Sequence, residues 1–423
     1  LQVRAHDRSV FSERWPEILA RIASAAEHGA EVIVVPEGTV PAYVLGTEPV
    51  APALLEAAAR DVIAVAERTG ATIVYGGGRY EGDRLANSAY VVTREGIIGT
   101  ADKCFLWHFD RRWFTTGRTI DPIATPAGKL GIFVCADGRI PTIASTLVDR
   151  GAELLVVPTA WVTSGRDVRT LENIQADLMA AVRARENGVP LVAANKTGIE
   201  RRSVAYCGKS QIIAADGTIV AIAGQDDEVT LRASVAVGSP LVHREAAPAP
   251  IRRGSLPVTL AEVERFAITL KADDDLRELA ILADAAHVFD VHEVPVSHEV
   301  AYVDDEAVVD PRALVGPRVD GVRLFVWNAS LAQAWVVPFA RTRAAELRAY
   351  LIVLDTRDRR AFAVDPDGAI VCGTFAGFEL AAFTFDRRRT DAWLVAPHTD
   401  VRDALERVRA IGATDSAKAP ASS

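Results

Sequence analysis

Along residues 1–235, apolar positions alternate between helical spacing and short uninterrupted runs. "SERWPEILARIASAAEHGA" carries the helical pattern and predicts an amphipathic helix, with Ser12 as N-cap and Gly29 as its stop. "EVIVVPE" reads as a buried strand ending at Pro36, "LLEAAARDVIAVAERTG" as a second helix and "ATIVYGGG" as a second strand. "NSAYVVT" and "GIIGTADK" predict a hairpin turning at "REG". "KLGIFVCADGRIP" is a strand that stops at Cys135, and "TIASTLVDRG" a helix. "AELLVVPTAW", the long helix "LENIQADLMAAVRARENG" and the strand "VPLVAANKTG" follow. The hairpin "SQIIAAD"/"TIVAIA" closes the series at Asp216-Gly217. Strands that alternate with helices and are separated by hairpins predict an α/β fold with a mixed sheet.

The pattern then breaks at "GSPLVHREAAPAPIRRGSLP", a Pro-rich linker composition. Beyond it the order strand, long helix, strand, hairpin returns. "DGVRLFVWNAS" echoes "RGAELLVVPTA", "LAQAWVVPFARTRAAELRAYLIVLDT" echoes "ADLMAAVRARENGVPLVAANKT", and "RAFAVDPDGAIVCG" echoes "SQIIAADGTIVAIAG". Three echoes in one order predict a degenerate tandem duplication; an unrelated α/β domain using the same common order is the alternative. The expected organisation is a domain at 1–237, a linker at 238–258, a degenerate second domain at 259–412 and a small-residue tail at 413–423. A chain of 423 residues fits two domains of ordinary size.

With 47 Lys+Arg against 56 Asp+Glu and no basic block, the chain would be repelled by phosphate backbones, which excludes nucleic acid as the expected partner. No apolar run is long enough for a membrane helix. Cys104, Cys135, Cys207 and Cys372 form no CxxC pair, which argues against structural zinc and a disulfide framework and fits a reducing cytoplasm. The first residue, Leu1, is not a methionine. Residues are therefore expected upstream, and a processed targeting segment stays open.

Three reactive side chains follow apolar strands: Glu37 after "VIVVP", Lys103 after "IIGTAD" and Cys135 after "GIFV". In α/β sheets the C-terminal strand edges are where catalytic groups gather. A thiol nucleophile needs a base, and its tetrahedral intermediate needs positive charge or N–H donors on the oxyanion. Glu, Lys and Cys supply these parts without a histidine. Each also has a purely structural reading: Cys135 as a core thiol, Glu37 as a helix-start residue, Lys103 as a solvated charge. Cys104, Cys207 and Cys372 read as structural.

"VVPE", "DK" and "CADGRIP", in this order, resemble the three signatures of the nitrilase, or carbon–nitrogen hydrolase, superfamily. Gln2 on the first strand, "GGGRYEGDRLANSAYVV", "RARENGVPLVAANKTG" and "GKSQIIAADGTIVA" extend the resemblance over about 1–236. It implies a four-layer αββα sandwich, with Glu37 as base, Lys103 as oxyanion stabiliser, Cys135 as nucleophile, and no metal or organic cofactor. Many members carry a second glutamate in a stretch like E-x-x-[WY]-F-x-x-G; here "DRRWFTTG" puts Asp110 in that place. Cys135-Ala136-Asp137 is similar to the Cys-x-Asp of amidases and carbamoylases, whereas nitrilases tend to Cys-Trp-Glu. Arg139 stands where carbamoylases bind a substrate carboxylate, and Trp161 is expected to line the pocket or sit in the core.

The resemblance thus implies a hydrolase of a small amide or carbamoyl substrate. The alternatives are a catalytically weakened binding or regulatory protein and a member that passes its acyl group to another acceptor. Residues 260–410 carry no matching trio. The long helices of the two halves are expected to pair as an internal pseudo-dimer, with further self-association left open.

Overall fold

A computed structural model describes residues 1–163, 172–237 and most of 299–407, together with 252–253 and 290–291. The chain divides into two compact units at Val242/His243, inside the Pro-rich stretch. Of that stretch beyond residue 237 only Arg252–Arg253 is described, and it forms a strand of the second unit. The tail from 413 lies outside the described residues.

In the first unit, α1 (Phe11–Glu27) buries Phe11, Trp15, Ile18, Ile22 and Ala26 along one face. Ser12 is not its N-cap. A 3₁₀ turn at Arg8–Val10 runs directly into the helix, so Val10 takes the cap position and Ser12 falls in the first turn. β1 is Val3–Arg4, β2 Val32–Val34, and α2 (Pro52–Thr69) begins with proline and ends at Gly70 in the left-handed conformation. β3 (Thr72–Glu81), β4 (Arg84–Thr93) and β5 (Gly96–Asp102) follow as a meander. Together β2-β3-β4-β5 form one sheet, with β2 parallel to β3.

The second sheet has the order β13-β12-β9-β8-β7-β6. Its strands are β6 (Ile123–Thr125), β7 (Gly128–Ile132), β8 (Leu154–Pro158), β9 (Leu191–Ala194), β12 (Gln211–Ile213) and β13 (Ile219–Ile222). α3 (Pro141–Asp149) packs on β7, and α4 (Ala180–Asn187) packs on α3, β9 and β12. On the other side α1 packs on α2, and α2 on β3 to β5, while β2 and β3 meet β8 and β9 face to face. The result is the αββα layering that the resemblance implies. "VPLVAANKTG" is not one strand. It splits at Asn195 into β9 and β10 (Lys196–Glu200), and β10 pairs with β1 and with β11 (Val204–Cys207) in a separate small sheet. Asn195 holds this branch point: its side chain accepts from Trp161 N and donates to Gly208 O.

The second unit contains β14 (Arg252–Arg253), β15 (Asp290–Val291), β16 (Val300–Val303), β17 (Leu324–Ala329), β18 (Tyr350–Asp355), β19 (Arg360–Val364), β20 (Ile370–Phe375), β21 (Phe378–Leu380) and β22 (Ala382–Phe383). Its main sheet runs β14-β16-β17-β18-β19-β20-β21, and β15 pairs with β22. Its helices include α5 (Asp305–Val309), α6 (Pro311–Val319), α7 (Gln333–Leu347) and α8 (Arg387–Asp391). No described helix of either unit is long and apolar enough to cross a membrane.

Candidate active site

Glu37 lies three residues past β2 and is fully buried. Its Oε1 accepts from Lys103 Nζ at 2.8 Å and from Asn87 Nδ2 at 2.6 Å. Asn87 comes from β4, and its carbonyl accepts from Lys103 N, so the β4–β5 pairing delivers the lysine to the glutamate. The glycine run of β3 is needed here: a Cβ on Gly76 would stand 2.4 Å from Glu37 Cα. Glu37 Oε2 is buried without a hydrogen-bond partner among the described residues.

Asp110 does sit beside Lys103, with Oδ2 at 2.6 Å from Nζ, and both side chains are fully buried. The 3₁₀ turn His108–Arg112 brings it there and offsets the missing methylene. The carboxylate also accepts from Trp107 N at 2.9 Å and from the Tyr43 hydroxyl at 2.9 Å, so its orientation is fixed on both oxygens. Burial opposes the charge of Lys103, but the negative charges of Asp110 and Glu37 outweigh it and hold its pKa well above the usual lysine value. The lysine is therefore a cation in a fully buried site.

Cys135 opens a 3₁₀ turn (Cys135–Arg139) after β7 with φ +50°, a left-handed backbone that a non-glycine residue adopts only under local constraint. Asp137 supplies that constraint. Its carboxylate accepts from Val134 N at 3.0 Å, Phe105 N at 2.6 Å and Cys104 N at 3.0 Å, tying the nucleophile turn to the segment that follows Lys103. Burial pushes Asp137 up to about 7 against these donors and Lys103. Burial first, and then the charge of Glu37, raises the Cys135 pKa far above that of a free thiol. Lys103, the Thr159 hydroxyl and the Ala160 N–H pull it part of the way back. The Thr159 hydroxyl is buried and makes no hydrogen bond among the described residues. At neutral pH the sulfur is thus a thiol, and it needs a base at the moment of attack.

Trp161 is buried just beyond β8 and lines a small cavity with Cys135, Phe133, Gln175 and Met179. Gln175 belongs to a π-helical turn (Gln175–Met179) that leads into α4; the expected long helix thus begins in a wider turn, as happens at functional sites. Arg139 does not line this cavity among the described residues; its guanidinium lies over the Trp107 ring, 5.1 Å from the centroid. Cys104, Cys207 and Cys372 are buried, and burial pushes Cys207 and Cys372 up to about 12, which fits structural thiols.

The carbon–nitrogen hydrolase family model matches residues 4–239. The chain belongs to the carbon–nitrogen hydrolase family. A probable nitrilase of Schizosaccharomyces pombe is 32% identical over 145 residues, 34% of this chain and 50% of that one. A nitrilase of Pyrococcus abyssi is 30% identical over 216 residues, 49% of this chain and 77% of that one. An amidase from Nesterenkonia sp. is a structural neighbour at TM-score 0.48 and 24% identity, over 53% of this chain and 85% of that one. The chain thus spans half the length of the yeast relative. In this carbon–nitrogen hydrolase, Tyr43 and Thr159 lie outside the stretches that carry the resemblance, and Asn87 lies inside "GGGRYEGDRLANSAYVV" without being marked there as a site residue. The one available signal is a polar residue within an otherwise apolar strand or strand end, as Asn87 is in "LANSAYVV" and Thr159 in "LLVVPTAW".

Proposed function

We propose that the chain hydrolyses the C–N bond of a linear amide or N-carbamoyl compound through a thioester on Cys135. The observation that carries this reading is a buried carboxylate that holds Lys103 with one oxygen and keeps the other, Glu37 Oε2, buried and unpartnered among the described residues, where it can take the proton of the buried Cys135 thiol. As Sγ attacks the carbonyl carbon, Glu37 takes the thiol proton. The electron pair moves onto the carbonyl oxygen, which faces the Lys103 ammonium and the Ala136 N–H. Collapse breaks the C–N bond, and ammonia leaves with the proton from Glu37. The same carboxylate then takes a proton from the water that attacks the thioester, and collapse releases the acid and restores the thiol. One water is consumed for each ammonia and each acid formed.

Asp110 holds the lysine in place for this chemistry. Gln175 Oε1 and Trp161 Nε1 are buried and unpartnered among the described residues, on two side chains that line the Cys135 cavity. They mark an unmet acceptor and an unmet donor next to Cys135, in a cavity with room for about one water. Arg139 closes the turn that Cys135 opens, and we keep it in the proposal as a site for a substrate carboxylate. The absence of a disulfide among the four cysteines, with a thiol-dependent reaction, supports a cytoplasmic location. The pairing of the two long helices also remains a proposal: a 1–242 fragment should aggregate or self-associate, and a soluble, active monomer would refute it.

Ammonia release from a panel of linear amides, N-carbamoyl amino acids and nitriles tests the function. We expect release from the first two classes, abolished in Cys135→Ala. Release from nitriles alone, or undiminished release by the variant, overturns the reading. The thioester equally serves acyl transfer, so hydroxylamine added to the assay, with hydroxamate as product, separates that second reading from hydrolysis.

A further inference from the structure

The second unit repeats, in three stretches of constant register, the half of the first unit that carries the nucleophile. Leu130 on β7 faces Leu154 on β8, and Val300 on β16 faces Leu324 on β17, both in parallel pairs and related by a shift of 170 positions. The same shift carries the turn Cys135–Arg139 onto α5 (Asp305–Val309) and α3 onto α6, each of the two helices starting with proline. It also carries Gly151, with φ +92°, onto Gly321, with φ +107°. After the next loop the shift is 160. Arg183 donates to Gly138 O and Glu186; Arg343 donates to Val308 O and Glu346. Both ion pairs are buried, a costly feature that two unrelated domains would not share at matching positions. The excursion β10–β11 has no counterpart between β18 and β19, and the shift falls to 151. Asp216-Gly217 then matches Asp367-Gly368, with the same register slip at Ile212/Ile213 and at Ala363/Val364.

We infer that residues 299–373 are a second copy of 129–222 in which Asp305 stands at the nucleophile's position as a fixed structural carboxylate, leaving one reactive centre per chain. At the place that matches Cys135, Asp305 accepts from Ser330 N at 3.1 Å, from Ser330 Oγ at 2.5 Å and from Trp327 Nε1 at 2.9 Å, Ser330 being the counterpart of Ala160. A carboxylate saturated by donors is a poor nucleophile, because attack would strip it of these bonds. The strained elbow is gone as well: Asp305 starts an ordinary helical turn, capped by Asp304 through Ala307 N at 2.9 Å. In the first unit the bond runs the other way, from Val134 N to the Asp137 carboxylate, which also reaches the segment after Lys103. Its counterpart, Ala307, has no carboxylate with which to reach one.

The test uses the full chain as wild type, Cys135→Ala, Asp305→Asn and Asp305→Ala, with p-nitrophenyl acetate as probe. The Trp327 indole N–H is followed in protein carrying isotope-labelled tryptophan, its signal assigned with Trp327→Phe. We expect turnover of the ester in wild type and Asp305→Asn, and none above the uncatalysed rate in Cys135→Ala. We also expect hydrogen exchange of the Trp327 indole to be faster by about tenfold or more in Asp305→Ala, while Cys135→Ala leaves it unchanged. Turnover in Cys135→Ala that disappears when Asp305→Asn is added would overturn the inference, and so would indole exchange indifferent to Asp305. Where Asp305→Ala does not fold, Asp305→Asn, which keeps one acceptor, and Ser330→Ala report the same contact, each by faster indole exchange; no change in either overturns the lock. The indole readout does not depend on Cys135 chemistry, so failure of the proposed function and failure of this inference give different results.

Discussion

Replacing Asp110 with asparagine removes one of the two carboxylates that hold Lys103 and alters almost nothing in shape. Asparagine can still accept from Trp107 N, and the Tyr43 hydroxyl can rotate to accept from its amide. What is lost is a charge 2.6 Å from a fully buried ammonium. At an effective dielectric of about 20, that contact is worth about 6 kcal/mol before desolvation is counted. Breaking a buried pair costs about 3–5 kcal/mol net, and because Glu37 remains at Lys103 the lower end applies. Hydrogen exchange of the β3–β5 peptides should therefore speed up by roughly two orders of magnitude, following about 1.4 kcal/mol per tenfold. Turnover should fall roughly a hundredfold as the cation loses its fixed position at the oxyanion. Asp110→Glu keeps the charge but pushes a methylene into a packed site, at about 1–3 kcal/mol. Exchange and turnover within about twofold of wild type in Asp110→Asn, a change worth under half a kcal/mol, would refute the assignment of Asp110 as the residue that fixes Lys103.

Two further perturbations follow from the same geometry. Gly76→Ala should lower turnover by at least about a hundredfold, because its Cβ would meet the Glu37 backbone at 2.4 Å and displace the base; steady-state rates near wild type would show that Glu37 tolerates the shift. His6 makes a 2.8 Å Nε2 contact with Pro41 O, its Nδ1 is buried without a partner among the described residues, and burial, then Lys196, lowers its pKa to about 4. The unfolded chain takes up this proton near pH 6.5 and the folded chain only near 4, so the stability His6 contributes is present above 6.5 and lost as pH falls through 4. The loss is about 3 kcal/mol at its limit. Urea unfolding of His6→Gln should show acid sensitivity smaller by that amount, and equal pH slopes in both proteins would contradict the burial argument.

Glu37, Lys103 and Cys135 are readable as candidates because each follows a short apolar run, but the runs become β2 and β5, the two edges of one sheet, and β7 of the other, a placement that no single run announces. Asp110 is readable from the Trp-Phe-x-x-Gly context, but its reach to Lys103 depends on a 3₁₀ turn that no periodicity announces. "VPLVAANKTG" looks like one strand because its apolar run is continuous; the break at Asn195 comes from hydrogen bonds to distant residues, Trp161 and Gly208. Ser12 fails as a cap because the preceding 3₁₀ turn already supplies the helix start, which depends on the path of the chain and not on residue type. Three echoes between the halves are visible in the text of the chain. The fourth, "LGIFVCADGRIP" against "VAYVDDEAVVDP", is hidden because the residue that would flag it, the cysteine, has become Asp305; only strand register brings the two together.

The central claim is that Cys135 carries the acyl group, and the mass of the acid-quenched protein during turnover of an activated ester or amide tests it most directly. The account predicts one acyl group per chain, mapped to the peptide containing Cys135, present in wild type and absent in Cys135→Ala. Turnover without any acyl adduct on that peptide, or an adduct that persists when Cys135 is alanine, would contradict it.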